Sequence, residues 1–262
     1  MESEIIEISW WRLIAAYIFV VLLIVILKWR SIKREKDVLI ATIRMSVQLI
    51  IAGYILEYIF KNEHPLITLG VLLLMVGFAI YTAIKRIKHK ISIQMKKLIA
   101  LSLTIGVLIS MAYFIFVVIG LSPWYKPTYV IPIAGMIIGN AMTGITLGVN
   151  TYMNEMSSQK QLVEGALMLG ATPKEATRRI ANRAFDAAMT PIINNMIGMG
   201  IVFLPGMMTG QILGGASPLV SINYQIAIML GILGAVALSV VLFAVLGYRT
   251  FFNERDQLID MQ

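Results

Sequence analysis

The chain has 262 residues, of which 58% are hydrophobic and only 14% are charged. Roughly a quarter of the residues of soluble domains are charged, so this composition excludes a soluble globular protein and predicts an integral membrane protein surrounded mostly by lipid. The formal net charge is +8, but the basic residues lie beside apolar stretches, which indicates an oriented membrane protein and not a partner of nucleic acid.

Seven apolar segments are long enough to cross a bilayer, because a membrane-spanning helix needs about 20 residues. They cover residues 8–27, 38–60, 66–84, 98–120, 129–150, 188–204 and 225–247. The first follows an acidic N-terminus without a basic region, so we interpret it as a retained span and not as a cleaved signal peptide. The predicted fold is an all-α integral membrane protein, with residues 1–262 forming one transmembrane domain.

Basic residues predict which side of the membrane each connection faces. Eighteen of the 22 Lys and Arg residues fall between segments one and two, three and four, and five and six, or in the C-terminal tail. Lys and Arg accumulate in cytoplasmic loops, so these connections are predicted to be cytoplasmic. The N-terminus is then outside and the C-terminus cytoplasmic, which requires an odd number of spans and agrees with seven.

The polar stretch between the fifth and sixth segments, residues 151–187, carries signals for helix ends. Gly170 is predicted to end one helix, because glycine adopts the left-handed conformation at little cost. Thr172, Pro173 and Glu175 match the start of a second helix, as N-cap, first helical residue and partner in a capping box. The sequence therefore predicts a cytoplasmic helix–turn–helix, which is either a solvated connector or a docking element for a moving partner.

Residues 164–170 of this stretch resemble the E-A-A-x-x-x-G loop of bacterial ATP-binding-cassette (ABC) permeases, with glycine in place of the middle alanine. In that family the loop forms a coupling helix that sits in a groove of the ATPase subunit. The resemblance implies that a group of residues around the turn couples the chain to such a subunit: Glu164, Gly165, Ala166, Gly170, Thr172, Pro173, Glu175 and Arg179.

Three longer stretches, residues 41–56, 132–150 and 190–218, are similar to the FetB family of iron-export permeases, which has plant relatives linked to aluminium tolerance. This resemblance implies a homodimer in the inner (plasma) membrane that exports iron or a metal-related solute by alternating access, driven by two copies of a separate FetA-like ATPase. The alternative is a secondary transporter or channel that works without ATP.

The chain contains no G-x-x-x-x-G-K-[ST] motif, the glycine-rich loop that holds ATP phosphates. We therefore expect this chain to bind no cofactor, and the resemblance implies that ATP and Mg²⁺ bind to the partner ATPase. The chain also lacks the H-E-x-x-H and G-x-S-x-G motifs of hydrolases, so the sequence predicts a transport subunit and not an enzyme.

Polar side chains within apolar segments are costly in lipid and are candidates for a translocation pathway. Arg44 and Gln48 are four residues apart and share one helix face. Arg44 either snorkels to the interface or points inward to pair with Glu155 or Asp186. The other candidates are amide side chains in later segments: Asn140, Asn194, Asn195 and Gln211.

Glycines in the fifth segment have the four-residue spacing that lets membrane helices approach closely. The two pairs, Gly135 with Gly139 and Gly144 with Gly148, are predicted to pack against other helices, within the chain or across a dimer.

Pro205 and Gly206 predict a helix break at the end of the sixth segment, because proline removes a backbone hydrogen bond and clashes with the preceding turn. Non-helical backbone at membrane depth needs protein or water around it. Residues 205–224, including Thr209, are therefore predicted to form either a re-entrant element that lines an outer gate or a plain outer loop.

Methionine is abundant, with 17 residues. Four lie around the sixth segment: Met196, Met199, Met207 and Met208. Thioethers can bind soft Cu(I), but methionine also fills irregular gaps, and we interpret these four as packing residues. His64 and His89 lie in connections, and no His, Asp and Glu residues have ligand spacing. The sequence therefore identifies no metal site.

Overall fold

The computed structural model describes residues 8–259, so the acidic start of the chain and its last three residues lie outside this range. Within it the chain is helical. The helices are α1 Trp10–Ala16, α2 Ile18–Trp29, α3 Glu35–Lys61, α4 Pro65–Arg86, α5 Ile93–Tyr113, α6 Pro127–Ser158, α7 Lys160–Met168, α8 Pro173–Gly198, α9 Gly206–Leu213 and α10 Pro218–Gly247. A π-helical turn, Phe114–Ile119, extends α5, and a 3-10 turn, Tyr248–Phe251, extends α10.

Six helical segments in the described part of the chain are long and apolar enough to cross a membrane. They are Trp10–Trp29, Glu35–Lys61, Pro65–Arg86, Ile93–Ile119, Pro127–Ser158 and Pro218–Phe251. Each overlaps one of the predicted segments, and the chain is therefore an all-helical, multi-pass membrane protein.

The predicted sixth segment, residues 188–204, has the wrong boundaries. Residues 188–198 are the end of α8, which already begins at Pro173 within the polar connection, and the helix stops at Gly198. The first half of α8 is rich in charged residues, so α8 is not among the six helical segments that are apolar enough to cross a membrane. The predicted segment therefore joined the apolar half of one helix to the non-helical residues that follow it.

The described chain divides into two compact units. The first extends to Glu63 and includes Leu213–Gly215; the second contains His64–Ile212 and the residues from Ala216 onward. In the first unit, α2 packs beside α3, α1 contacts α2, and the hydroxyl groups of Tyr17 and Ser46 share a hydrogen bond of 2.5 Å. The most apolar windows of its two spans have none of their residues buried, so hydrocarbon must solvate them.

In the second unit, α4, α6 and α10 run in one direction, and α5 and α8 run in the other. The α6–α10 pairing brings Gly144 beside Val236 and Tyr152 beside Phe243, which places the two helices parallel. The α5–α10 pairing has the opposite sense, since Gly106 meets Ser239 whereas Phe114 meets Gly231. The chain between α6 and α10 must therefore return across the unit, and α8 provides the return.

The glycines differ in what lies next to them. A Cβ at Gly144 would clash with Val236, and one at Gly148 would lie 3.1 Å from Val240 Cγ1. The absence of a side chain at these two positions therefore lets α10 approach α6 closely. A Cβ at Gly135 would lie 3.4 Å from the Met75 methyl group, which is ordinary contact. At Gly139 it would meet no described atom of a neighbouring element within 4 Å.

The closest approach of α5 to α10 is at Gly106, which sequence spacing did not single out. A Cβ there would lie 2.7 Å from the Ser239 nitrogen and 2.9 Å from its Cα. These are backbone atoms within a helix, so they cannot move aside as the end of a flexible side chain can. Only glycine fits this contact without separating the two helices.

We expect Gly106→Ala to destabilise the protein by about 1–3 kcal/mol, the usual cost of overpacking a tight interior. Gly77→Ala is the matched control, because a Cβ at this position in α4 would meet no described atom of another element within 4 Å. The midpoint of thermal unfolding is measured by heating each purified variant in detergent and recording the folded fraction by size-exclusion chromatography. Equal midpoints for the two variants would contradict the close α5–α10 contact.

Candidate functional site

The connection between α6 and α8, which we call the connector, contains the helix–turn–helix that the capping signals predict. It starts later than expected, because α6 continues to Ser158 and does not end at residue 150. Gly170 has φ +91°, the left-handed conformation. Its N–H donates to Leu167 O at 2.9 Å, and the Ala171 N–H donates to Ala166 O at 3.0 Å. This Schellman pattern ends α7 with its last carbonyls satisfied.

The start of α8 has the predicted capping box. The Glu175 N–H donates to Thr172 Oγ1 at 3.3 Å, and Glu175 Oε2 accepts from the Thr172 N–H at 2.9 Å and from its hydroxyl at 2.7 Å. Pro173 occupies the first turn. The backbone N–H of Thr172, and then its hydroxyl, lower the pKa of the Glu175 carboxyl. The box therefore stays closed at neutral pH and is lost only as the pH falls through that lowered pKa.

The helix α7 and its C-cap residue present apolar side chains that the second unit does not cover. Leu162, Met168 and Leu169 are 69%, 87% and 91% exposed, and we call these three residues the connector tip. Val163, which is 2% exposed, anchors the opposite face of α7. Exposed apolar side chains of this size, grouped at a polar end of the molecule, are typical of an interaction surface.

The other residues assigned to coupling surround this tip. A Cβ at Gly165 would meet no described atom of another element within 4 Å, so the surface there is open. Glu164 lies 3.9 Å from the Lys160 ammonium, a half-exposed pair on α7. Ala166 is half-buried and Arg179 is exposed. The structure thus brings the predicted coupling residues together on one turn and the two helix ends beside it.

An ion pair joins α6 to α8 next to the connector. Arg183 Nη1 lies 2.6 Å from Glu155 Oε2, and Gln159 also donates to this carboxylate. Glu155 is therefore paired with Arg183, whereas the sequence offered it as a partner for Arg44. Because Glu155 is only 23% exposed, the pair is partly shielded from solvent and holds the two helices together more firmly than a surface pair would.

The basic connection between α4 and α5 is tied to the same end of α6. The Lys88 N–H donates to Asn150 Oδ1 at 3.0 Å. His89 Nε2 shares a hydrogen bond of 2.7 Å with Asn154 Oδ1. These bonds fix the position of a lysine-rich segment beside the connector, so the two basic connections lie on one side of the second unit.

A cavity of about 210 Å³ lies between α6, the end of α8, the turn that follows it, and α10. Asn140 and Asn195, two of the predicted pathway residues, line it together. Asn140 lies about 20 Å along α6 from Pro127, which places the cavity within the length that crosses hydrocarbon. The Asn140 amide donates to Met136 O at 2.8 Å, leaving its carbonyl oxygen for another partner.

Gln225 on α10 also lines this cavity, although the sequence analysis did not select it. Its side chain is 7% exposed, and its Oε1 is buried without a hydrogen-bond partner among the described residues. Gln225 follows Ser221, Asn223 and Tyr224, so in the sequence it resembles the polar end of a span and not a residue within one. Its cost in lipid was the one available signal.

The remaining pathway candidates lie elsewhere. Asn194 is exposed and does not line the cavity, and Gln211 on α9 has a buried Oε1 without a described partner. Arg44 and Gln48 occupy exposed positions on α3 in the first unit. Their part in transport remains a prediction, as does the choice between snorkelling and inward pairing for Arg44.

The predicted helix break is longer than expected. The helix ends at Gly198, and the chain turns through Gly200, whose N–H donates to Phe203 O at 3.0 Å. Pro205 precedes α9, and Gly206 is its first residue. The Thr209 hydroxyl donates to Pro205 O at 3.1 Å. Pro205 and Gly206 line the cavity, so this non-helical backbone has protein on one side, as membrane depth requires.

The described residues contain no group of three or more His, Cys, Asp and Glu side chains that could hold a metal ion. His64 and His89 serve local hydrogen bonds instead, His64 as the N-cap of α4 through its Nδ1 and His89 with Asn154.

Comparison with known proteins assigns the chain to a family. The model of the family described as "Uncharacterised protein family (UPF0014)" matches residues 10–252. The chain is 38% identical to the UPF0014 membrane protein YjkA of Bacillus subtilis (strain 168), over 92% of this chain and 94% of YjkA. No solved structure matches the chain.

Two further relatives carry more descriptive names. Protein ALUMINUM SENSITIVE 3 of Arabidopsis thaliana is 37% identical, over 93% of this chain and 88% of the plant protein. The probable iron export permease protein FetB of Escherichia coli (strain K12) is 35% identical, over 94% of this chain and 93% of FetB. Both matches extend through the connector and the cavity, and the chain therefore belongs to the UPF0014 family of membrane proteins.

Proposed function

We propose that this chain is the membrane-spanning permease subunit of an ABC transporter, which exports iron or a metal-related solute while a separate ATPase subunit hydrolyses ATP. The observation that carries the proposal is the connector: an exposed apolar tip on a firmly capped turn, attached to a helix whose far end borders a cavity that contains three amide side chains. The name of the FetB relative supports the cargo class.

The proposed topology has seven crossings. The parallel directions of α6 and α10 support a return crossing between them, made by α8 with the turn and α9. Together with the six long apolar helices, this gives an odd number and puts the N-terminus outside and the C-terminus in the cytoplasm. The lysine-rich connection at Lys88 and the connector then face the cytoplasm, in agreement with the excess of basic residues there.

The proposed mechanism uses α8 as a rigid lever. The helix has 26 residues and a length of about 39 Å, so it extends from the connector to the cavity. Movement of a partner against the connector tip would tilt α8, and the Arg183–Glu155 ion pair would move α6 with it. Because Asn195 on α8 and Asn140 on α6 face one cavity, such a tilt would open or close it. The assembly would contain two permease chains and two ATPase chains.

We expect Met168→Asp combined with Leu169→Asp to abolish co-purification of an ABC ATPase from the same genome, because charge on the connector tip cannot enter an apolar groove without losing hydration. Ile8→Asp is the matched control, since Ile8 is 72% exposed but precedes α1, on the outer side in the proposed topology. Tagged permease co-expressed with the ATPase provides the measurement.

A normal yield of ATPase with the double variant would exclude the connector tip as the docking surface. If purified permease instead transports cargo with no ATPase bound, the ATP-independent alternative is correct.

The orientation can be tested cleanly because the chain contains no Cys. We expect Glu63→Cys, in the connection between α3 and α4, to react with a membrane-impermeant maleimide on intact cells, and Met168→Cys to react only after the membrane is permeabilised. Both positions are exposed and lie outside the six long apolar helices, so access across the membrane is the main variable. The reverse pattern would overturn the topology and the docking model together.

A further inference from the structure

Methionines are concentrated around the cavity between α6, α8 and α10. The whole chain has 17 in 262 residues, but four of the twelve residues that line the cavity are methionine. Met136 is on α6, Met229 is on α10, and Met199 and Met207 lie on either side of the turn between α8 and α9. Thioethers from three parts of the fold thus meet around one small volume.

Simple packing explains other methionines of the chain better than these. Met156 is 0% exposed and Met95 is 3% exposed within the continuous core, and neither lines the cavity. Met208, next to Met207, is 8% exposed and also does not line it. Of the four methionines that the sequence analysis interpreted as packing residues, Met208 fits that interpretation. Met199 and Met207 line the cavity, and Met207 also packs against the core.

The cavity also contains an oxygen that needs a partner. Gln225 is more than nine-tenths buried, and its Oε1 accepts no hydrogen bond from a described residue. Its Nε2 donates to the Met199 Sδ at 3.8 Å, so the amide and a thioether are adjacent. A buried amide oxygen without a partner is unfavourable, and a bound cation would satisfy it.

The chemistry of the lining decides which cation fits. Among the residues that line the cavity there is no carboxylate and no imidazole. Hard divalent ions need several charged or carbonyl oxygens to replace their water, and the lining offers mainly thioethers, which select soft ions such as Cu(I). A monovalent ion also carries less charge into membrane depth.

We propose that this cavity binds a soft monovalent cation of the Cu(I) class, with the thioethers of Met199 and Met207 and the Gln225 carbonyl oxygen as principal ligands. Met136 and Met229 complete an apolar, sulfur-rich wall, and the Asn140 and Asn195 amides lie at the same cavity. Binding is a property of the permease chain alone. The site is additional to the proposed export of iron or a metal-related solute and does not rest on it.

Ag(I), which has the same softness and charge but does not change oxidation state, is the probe. Purified permease without ATPase is titrated with silver nitrate in chloride-free buffer, and affinity is measured by calorimetry. We expect saturable binding of one ion per chain. Met199→Leu combined with Met207→Leu, and separately Gln225→Leu, should weaken it by at least about tenfold, because each removes a proposed ligand and even the loss of outer-shell partners costs about tenfold or more at metal sites.

Met156→Leu and Met95→Leu are the controls, because each replaces a buried thioether away from the cavity while keeping an apolar side chain of similar size. Both should bind Ag(I) as the unmodified protein does. Thermal unfolding without silver checks that all variants are folded. If the double variant fails to fold, X-ray absorption of Ag(I) bound to the unmodified chain still tests the proposal, since it should show sulfur neighbours.

Three results would overturn the proposal: no saturable Ag(I) binding, equal losses in the cavity variants and the controls, or an absorption spectrum with oxygen and nitrogen neighbours alone. Displacement of Ag(I) by equimolar Fe²⁺ or Mn²⁺ would also contradict it, because it would show a hard site. The double variant Met168→Asp and Leu169→Asp should still bind Ag(I). Loss of ATPase docking and loss of cation binding are therefore separate outcomes.

Discussion

The close parallel packing of α6 and α10 is the constraint from which the other features follow. Gly144 and Gly148 leave room for Val236 and Val240, and Tyr152 stacks against Phe251 at 5.2 Å near the same end. Since both helices run in one direction, the chain between them must return along their length. That return is α8, which explains why one helix begins in a polar connector and ends beside a cavity at membrane depth.

The two ends of α8 are built for different tasks. At its start, the capping box and the Schellman turn satisfy the backbone groups, and Arg183 adds an ion pair to α6. At its end, the helix stops at Gly198, and seven non-helical residues separate it from α9. The start of α8 is therefore firmly held beside the exposed connector tip, whereas its end borders the cavity. A helix of this kind suits the transmission of movement from a surface to a binding cavity.

Signals that act over a few residues made the connector predictable. Gly170, Thr172 and Glu175 specify their conformation locally, so the turn could be derived before its surroundings were known. Hydropathy located six helices, but it placed the sixth segment wrongly, because the polar first half of α8 conceals that one helix runs from Pro173 to Gly198. Gly106 could not be selected, since its importance depends on Ser239, which only the tertiary packing brings near. For Gln225 the cost of an amide in lipid was the one signal, because the cavity beside it forms only in the folded chain.

The central claim is that α8 transmits movement from the connector to the cavity, and the reactivity of one cysteine tests it. In the complex with the proposed ATPase subunit, Asn195→Cys should react with a small maleimide at rates that differ severalfold with and without ATP. Glu155→Arg should remove that difference, and adding Arg183→Glu should restore it, because the reversed ion pair again joins α6 to α8. Equal rates with and without ATP in the otherwise unmodified complex would contradict the account.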